Sequence, residues 1–132
     1  MFKIYKMRED HVLDFAAEEL KKYLWMMMPE CGGATISINP KAKNGFRLGL
    51  LKDFGIPCEA ADPTRHDVVH IDTNETGGIL AGSNTRSVLF AVYRFLRLNG
   101  CRWLFPGIDG EYIPMQDIKP ISYHRMADHR FR

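Results

Sequence analysis

A chain of 132 residues, 45% of them apolar, is expected to fold as one domain around an ordinary hydrophobic core. It is too short for a (β/α)8 barrel, which needs about 200 residues or more. The formal charge of +2 gives no electrostatic reason to expect a nucleic-acid or membrane partner. No apolar run approaches the roughly 20 residues of a membrane span, and no secretory type of apolar run follows Met1.

The first half of the chain is predicted to contain one long helix and several short strands. A first strand is expected over residues 2–7, followed by a helix from His11 to Met28 with Asp10 as its N-cap. We predict that the run 25–28 is the buried end of this helix, with a partner surface as the alternative. The predicted apolar stripe of the helix comprises Val12, Phe15, Ala16, Leu20, Tyr23, Leu24 and Met27. Alternation predicts strands over residues 34–39, 46–50 and 67–72.

The second half is organised around the stretch 77–106. A hairpin turn at residues 73–76 leads into a strand at 79–81. Ser83, Asn84 and Thr85 offer caps for a helix that ends at Asn99 and Gly100. Apolar residues at helical spacing predict its buried stripe: Val88, Ala91, Val92, Phe95 and Leu96. An apolar exit at 101–106, a short strand at 111–114 and an edge strand at 118–124 complete the predicted fold.

The segment from Arg86 to Pro106, RSVLFAVYRFLRLNGCRWLFP, carries a family resemblance. It is similar to the small domain that precedes the catalytic barrel in bacterial α-glucuronidases and β-N-acetylhexosaminidases. The resemblance implies an α+β fold, a mixed β-sheet with two α-helices packed on one face, as in the β-N-acetylhexosaminidase-like N-terminal domain. It also implies that this domain needs no cofactor and lacks the catalytic carboxylates of the parent enzyme.

The resemblance further implies how the chain is divided and what it does. Residues 1–124 would form the accessory domain, and residues 125–132 would begin the linker into a missing catalytic barrel. The chain would then be the non-catalytic N-terminal domain of a polysaccharide-degrading glycoside hydrolase, packed against that barrel and supporting it. The parent enzyme would be exported to the periplasm or the extracellular space. Expressed alone, the domain is expected to self-associate through residues between Trp103 and Phe131.

Two other functions remain open from the residues themselves. Trp103, Phe105 and Tyr112 could stack on sugars in a carbohydrate-binding module that contacts polysaccharide, although packing beneath the second helix or against a neighbouring domain is favoured. Ser83, Asn84 and Arg86 could bind an anion or a neighbouring domain at the start of that helix, although ordinary capping is favoured. Arg86 in a first helical turn is expected to have an anion or carboxylate partner.

The remaining polar residues give no catalytic or metal-binding signal. His66 and His70 imitate a zinc motif, but on the predicted strand they would lie about 13 Å apart, too far for one ion. The spacing of the candidate carboxylates selects no catalytic pair among Glu59, Asp62, Asp67, Asp72, Asp109 and Glu111. Three cysteines at wide spacing are expected to be reduced thiols, with Cys31 and Cys58 more exposed than Cys101.

Overall fold

A computed structural model describes residues 1–58, 60, 62–104 and 108–126 of the chain. The fold is α+β, as predicted, with a six-stranded mixed sheet and two long helices. The helices are α1 (His11–Met27) and α2 (Thr85–Leu98). The strands are β1 (Phe2–Lys6), β2 (Ala34–Ile38), β3 (Phe46–Leu50), β4 (Val68–Asn74), β5 (Gly77–Gly82), β6 (Arg102–Trp103), β7 (Glu111–Tyr112) and β8 (Ile121–Met126).

The large sheet has the strand order β2-β1-β3-β5-β4-β8. Strands β1, β2, β3 and β5 pair in parallel, whereas β4 pairs antiparallel with both β5 and β8. The predicted hairpin between β4 and β5 is confirmed, with its turn at Glu75 and Thr76. Strands β6 and β7 form a separate antiparallel pair, which we call the ribbon.

The last strand starts later than predicted, at Ile121 and not at residue 118. The segment before it has other partners, because Ile118 is buried in the main core and the backbone N–H of Lys119 donates to Oδ1 of Asn99. Pro120 lacks a backbone N–H and cannot donate to a ladder. Pairing with β4 therefore begins only after Pro120 and extends to Met126.

The main core lies between the two helices and one face of the sheet. Phe46 of β3 meets Phe95 of α2 edge to face, with ring centroids 5.5 Å apart. The predicted stripe of α2 is confirmed, since all five of its residues are buried. The helices also bond to each other, because the hydroxyl of Tyr93 donates to Oε1 of Glu19 at 2.7 Å. Both helices therefore cover the same face of the sheet.

The opposite face, which we call the outer face, is covered only in part. Leu51, Val68 and Ala81 form a second small core there, with partly buried apolar residues of the segment 54–60 packed against it. Side chains of alternate strand residues point to this face, and they include Arg47 and Asp72. The outer face is thus largely polar.

The predicted stripe of α1 is wrong in part. Leu13 and Ala17 lie in the core in addition to the predicted residues from Ala16 onward, whereas Phe15 is 52% exposed. The predicted burial of the run 25–28 is confirmed for Met27 and Met28 but wrong for Trp25 and Met26, which are exposed. This helix has apolar residues on more than one side, so the stripe that packs is chosen by the sheet.

We expect Leu13→Ala to destabilise the fold by about 3 kcal/mol, because a fully buried leucine leaves a cavity when truncated. The matched variant Phe15→Ala should cost less than about 1 kcal/mol, since that ring is half exposed. Urea unfolding of both variants measures the difference. Equal losses would place Phe15 in the core and contradict the helix orientation.

Candidate functional site

The N-terminus of α2 is capped by the residue type that the sequence predicts. Asn84 is the N-cap, and its Oδ1 accepts a hydrogen bond from the backbone N–H of Ser87 at 2.9 Å. Ser83 binds the neighbouring loop, since its Oγ accepts from the N–H of Val68 at 2.9 Å and donates to the carbonyl of His66 at 2.7 Å. The cap and the start of β4 are thereby tied together.

A buried carboxylate lies at the centre of this region. Oδ1 of Asp67 accepts hydrogen bonds from Nη2 of Arg86 at 2.9 Å, Oγ of Ser87 at 2.7 Å and Nδ2 of Asn84 at 3.2 Å. The Asp67 side chain is fully buried, while that of Arg86 is 48% exposed. Arg86 thus has the carboxylate partner that its position predicts, and the partner belongs to this chain.

Electrostatics keep Asp67 ionised. Burial alone would raise the pKa of its carboxyl group, but hydrogen bonds from Arg86, Ser87 and Asn84 favour the charged form, and the pKa is lowered. The carboxylate lies where the sequence suggested that an external anion could bind. The arrangement anchors the loop before β4 to α2, and Arg86 keeps an exposed side for a further contact.

The ribbon is attached to the helices by its inner side. The indole N–H of Trp103 donates to the Tyr23 hydroxyl at 3.2 Å, and that hydroxyl donates to Oε1 of Glu111 at 2.9 Å. The Trp103 ring also meets the rings of Tyr23 and Tyr93 edge to face, with centroids 5.3 and 5.7 Å away. Trp103 therefore packs across both helices near the end of α2.

Tyr112 lies on the other side of the ribbon. It pairs with Arg102, whereas Trp103 pairs with Glu111, so strand alternation turns Tyr112 and Leu104 away from the helices. Tyr112 is 60% exposed and Leu104 is 75% exposed. Trp103 and Tyr112 do not form one stacking platform, and Phe105, the third residue predicted for it, lies outside the described residues.

The remaining candidate carboxylates have separate surroundings. Glu59 lies outside the described residues, Asp109 is exposed, and Asp72 points to the outer face. Asp62 accepts a hydrogen bond from the Thr64 hydroxyl, which lowers its pKa. The carboxyl pKa shifts at Asp62 and Asp67 thus favour ionised groups, the opposite of what a general acid needs.

His70 lies on strand β4, as predicted, and the histidine side chain beside it belongs to His124. Its Nδ1 lies 2.9 Å from Nδ1 of His124 on β8, and burial together with the His124 charge lowers the His70 pKa. Within the described ranges, no group of three or more His, Cys, Asp or Glu side chains is arranged to hold a metal ion.

The three cysteines are free thiols, with Cys31 and Cys58 half-buried and Cys101 buried, as predicted. Burial raises the pKa of the Cys101 thiol to about 11, so it is protonated at neutral pH. Among the helices that the structure describes, none combines the length and apolar character of a membrane span.

Comparison with protein-family models finds none that matches the chain, and comparison with curated proteins finds no significant match.

Sequence reasoning missed the residues that complete the contacts at the cap of α2 and at the inner side of the ribbon. Asp67 was a candidate only as a surface carboxylate, and Tyr23 only as a core residue. No local pattern marks either role, because the partners lie 19 and 80 residues away in the chain.

We expect Arg86→Gln to destabilise the fold by about 2 kcal/mol at pH 7, because it removes the guanidinium that donates to the buried Asp67 carboxylate. The matched variant Arg97→Gln, on an exposed position of the same helix, should cost less than about 1 kcal/mol. Thermal and urea unfolding measure both.

The difference in stability cost between Arg86→Gln and Arg97→Gln is expected to depend on pH. The folded pKa of Asp67 lies below the unfolded value of about 3.9, so its contribution to stability is complete above that pH. It is lost as the pH falls through the folded pKa. The cost of Arg86→Gln should therefore shrink in acid, and an Arg86→Gln cost equal to that of Arg97→Gln at pH 7 would contradict the assignment.

Proposed function

We propose that this chain is the non-catalytic N-terminal domain of a polysaccharide-degrading glycoside hydrolase, and that it packs against and supports a catalytic (β/α)8 barrel that follows it. The domain is proposed to be β-N-acetylhexosaminidase-like in fold. The sequence resemblance between Arg86 and Pro106 motivates the proposal. One structural observation supports it most, the exposed large apolar side chains on and beside the outer side of the ribbon.

The ribbon has two sides of different character. Its inner side is bonded to the helices through Trp103, while its outer side exposes Tyr112 and Arg102, and Leu104 is exposed directly after β6. Met115, just beyond the ribbon, is 76% exposed as well. Several large apolar side chains exposed on and beside one strand pair are typical of a surface that another domain covers. We take this group as the principal contact with the barrel.

The position of the end of β8 supports a second contact with the proposed barrel. Met126 pairs with Val68, whose backbone N–H donates to Ser83, so β8 ends close to the cap of α2. A domain that follows β8 would begin beside the exposed side of Arg86. The six residues of β8 span about 20 Å between this edge and the ribbon edge. A barrel of about 250 residues is roughly 45 Å across and can reach both.

We predict that the chain alone releases no chromophore from aryl glucuronides or aryl N-acetylhexosaminides. The proposed acid pair belongs to the barrel, and the described carboxyl groups whose pKa is shifted are the ionised ones at Asp62 and Asp67. Turnover that survives repurification and disappears when one carboxylate of this chain is mutated would contradict the proposal.

We predict that substitutions at the neighbouring residues Trp103 and Leu104 affect different properties of the domain. Trp103→Ala should destabilise the fold by about 3 kcal/mol, because its ring packs on Tyr23 and Tyr93. Leu104→Ser should leave stability nearly unchanged but reduce self-association of the isolated domain, because Leu104 lies on the exposed side. Thermal melts and sedimentation velocity separate the two effects.

If the chain is strictly monomeric and Leu104→Ser does not change its sedimentation, the result would contradict the proposed contact surface on the ribbon. Saturable binding of an oligosaccharide that is lost in Tyr112→Ala would favour a carbohydrate-binding module instead.

A further inference from the structure

A cationic pocket lies on the outer face, at the edge of the sheet where β1, β3 and β5 begin. It has a volume of about 410 Å3 and lies between the loop before β3 and the hairpin turn that joins β4 to β5. Phe46 and Leu48 point to the helices, so alternation turns Arg47 to the outer face. Lys3 of β1 and Lys43 of the loop complete its charged lining.

The lining of this pocket includes three glycines, Gly45, Gly77 and Gly78. Gly45 and Gly77 approach each other so closely that a Cβ on Gly77 would lie 2.5 Å from the carbonyl carbon of Gly45. A Cβ on Gly45 would lie 2.7 Å from the carbonyl oxygen of Lys3. Both glycines have positive φ, 77° and 154°, which other residues rarely adopt. The close approach of these chain segments thus requires glycine at both positions and brings the loop before β3 against the β4–β5 hairpin.

The charge of the pocket is unbalanced. Its lining contains Lys3, Lys43 and Arg47 and no carboxylate. The ion pairs of the described residues are Lys6–Asp14, Arg8–Asp53 and Arg86–Asp67, so none of the three pocket cations is paired within the described part of the chain. Three like charges around one concavity create a local positive potential that the chain's net charge of +2 does not reveal.

The polar groups have the chemistry of an oxyanion site. Nε of Arg47 donates to the Gly45 carbonyl at 3.4 Å, which holds the guanidinium beside Gly45. Its planar fork matches a carboxylate or phosphate group, and two lysines add charge. Oδ1 of Asn74 is occupied by Thr76 and Gly77, which fixes the side chain at the rim. The volume falls within the range of small-molecule sites.

We propose that this pocket binds a small organic anion through a carboxylate or phosphate group held by Arg47, Lys3 and Lys43. Asn44, Asn74 and Thr76 supply neutral hydrogen-bonding groups for the rest of the molecule. The site is separate from the ribbon and from the cap of α2. It does not depend on the proposed barrel.

The test is calorimetric titration of the chain with glycerate, glycerol 3-phosphate and inorganic phosphate, with glycerol as the uncharged control. We expect saturable one-to-one binding of at least one anion and none of glycerol. Preference for glycerate assigns a carboxylate ligand, and preference for glycerol 3-phosphate or phosphate assigns a phosphate ligand. Binding should weaken as salt rises.

Three variants locate the site. Arg47→Gln and Lys43→Gln should each weaken binding by about tenfold, the effect of losing one charge-assisted contact. Lys41→Gln, an exposed lysine of the same loop outside the lining, should change affinity by less than about twofold. Melting curves check that each variant is folded, and Lys43 is exposed, so its substitution spares the core.

Absence of saturable binding up to about 10 mM of every anion would overturn the proposal. Equal losses of anion affinity in Lys41→Gln and Lys43→Gln would also overturn it, because they would show that the anion is attracted by the positive charge of the surface in general and not by the pocket.

Discussion

The structure depends on α2 being held at three places. Its apolar stripe is buried against the sheet, where Phe95 meets Phe46. Its N-terminus is fixed by the buried Asp67 carboxylate. At its C-terminus the fully buried Asn99 accepts from the backbone of Lys119, and Trp103 turns back onto Tyr93. These contacts connect the helix to the loop before β4, to the start of β8 and to the ribbon, so most of the second half of the fold is positioned by one helix.

Strand β3 and helix α2 could be predicted because their patterns are unambiguous. Alternation and glycine boundaries located β3 at 46–50, and a single apolar stripe with a capping asparagine located α2. The orientation of α1 could not be predicted in full. Besides its buried stripe, α1 carries the exposed apolar residues Phe15, Trp25 and Met26. The helix is therefore apolar on several sides, and packing on the sheet decides which side is buried. Periodicity identifies the helix but not the choice between competing faces.

The clusters that could carry function were predictable only in part. A first-turn arginine implies an anionic partner, but nothing local indicates that Asp67 fills that role from 19 residues away. The cationic pocket was not predicted at all. Its residues come from β1, the loop before β3, β3 itself and the β4–β5 hairpin, and the pairing of β1, β3 and β5 together with the close approach of Gly45 and Gly77 brings them together. Spacing along one segment carries no information about such an approach.

The central proposal is that a catalytic barrel follows this domain in the parent protein and packs against it. The most direct measurement is the nucleotide sequence that follows the codon of Arg132. The account predicts an open reading frame of about 250 or more further residues with alternating strand and helix patterns and acidic residues at strand ends. A stop codon directly after Arg132 would contradict it.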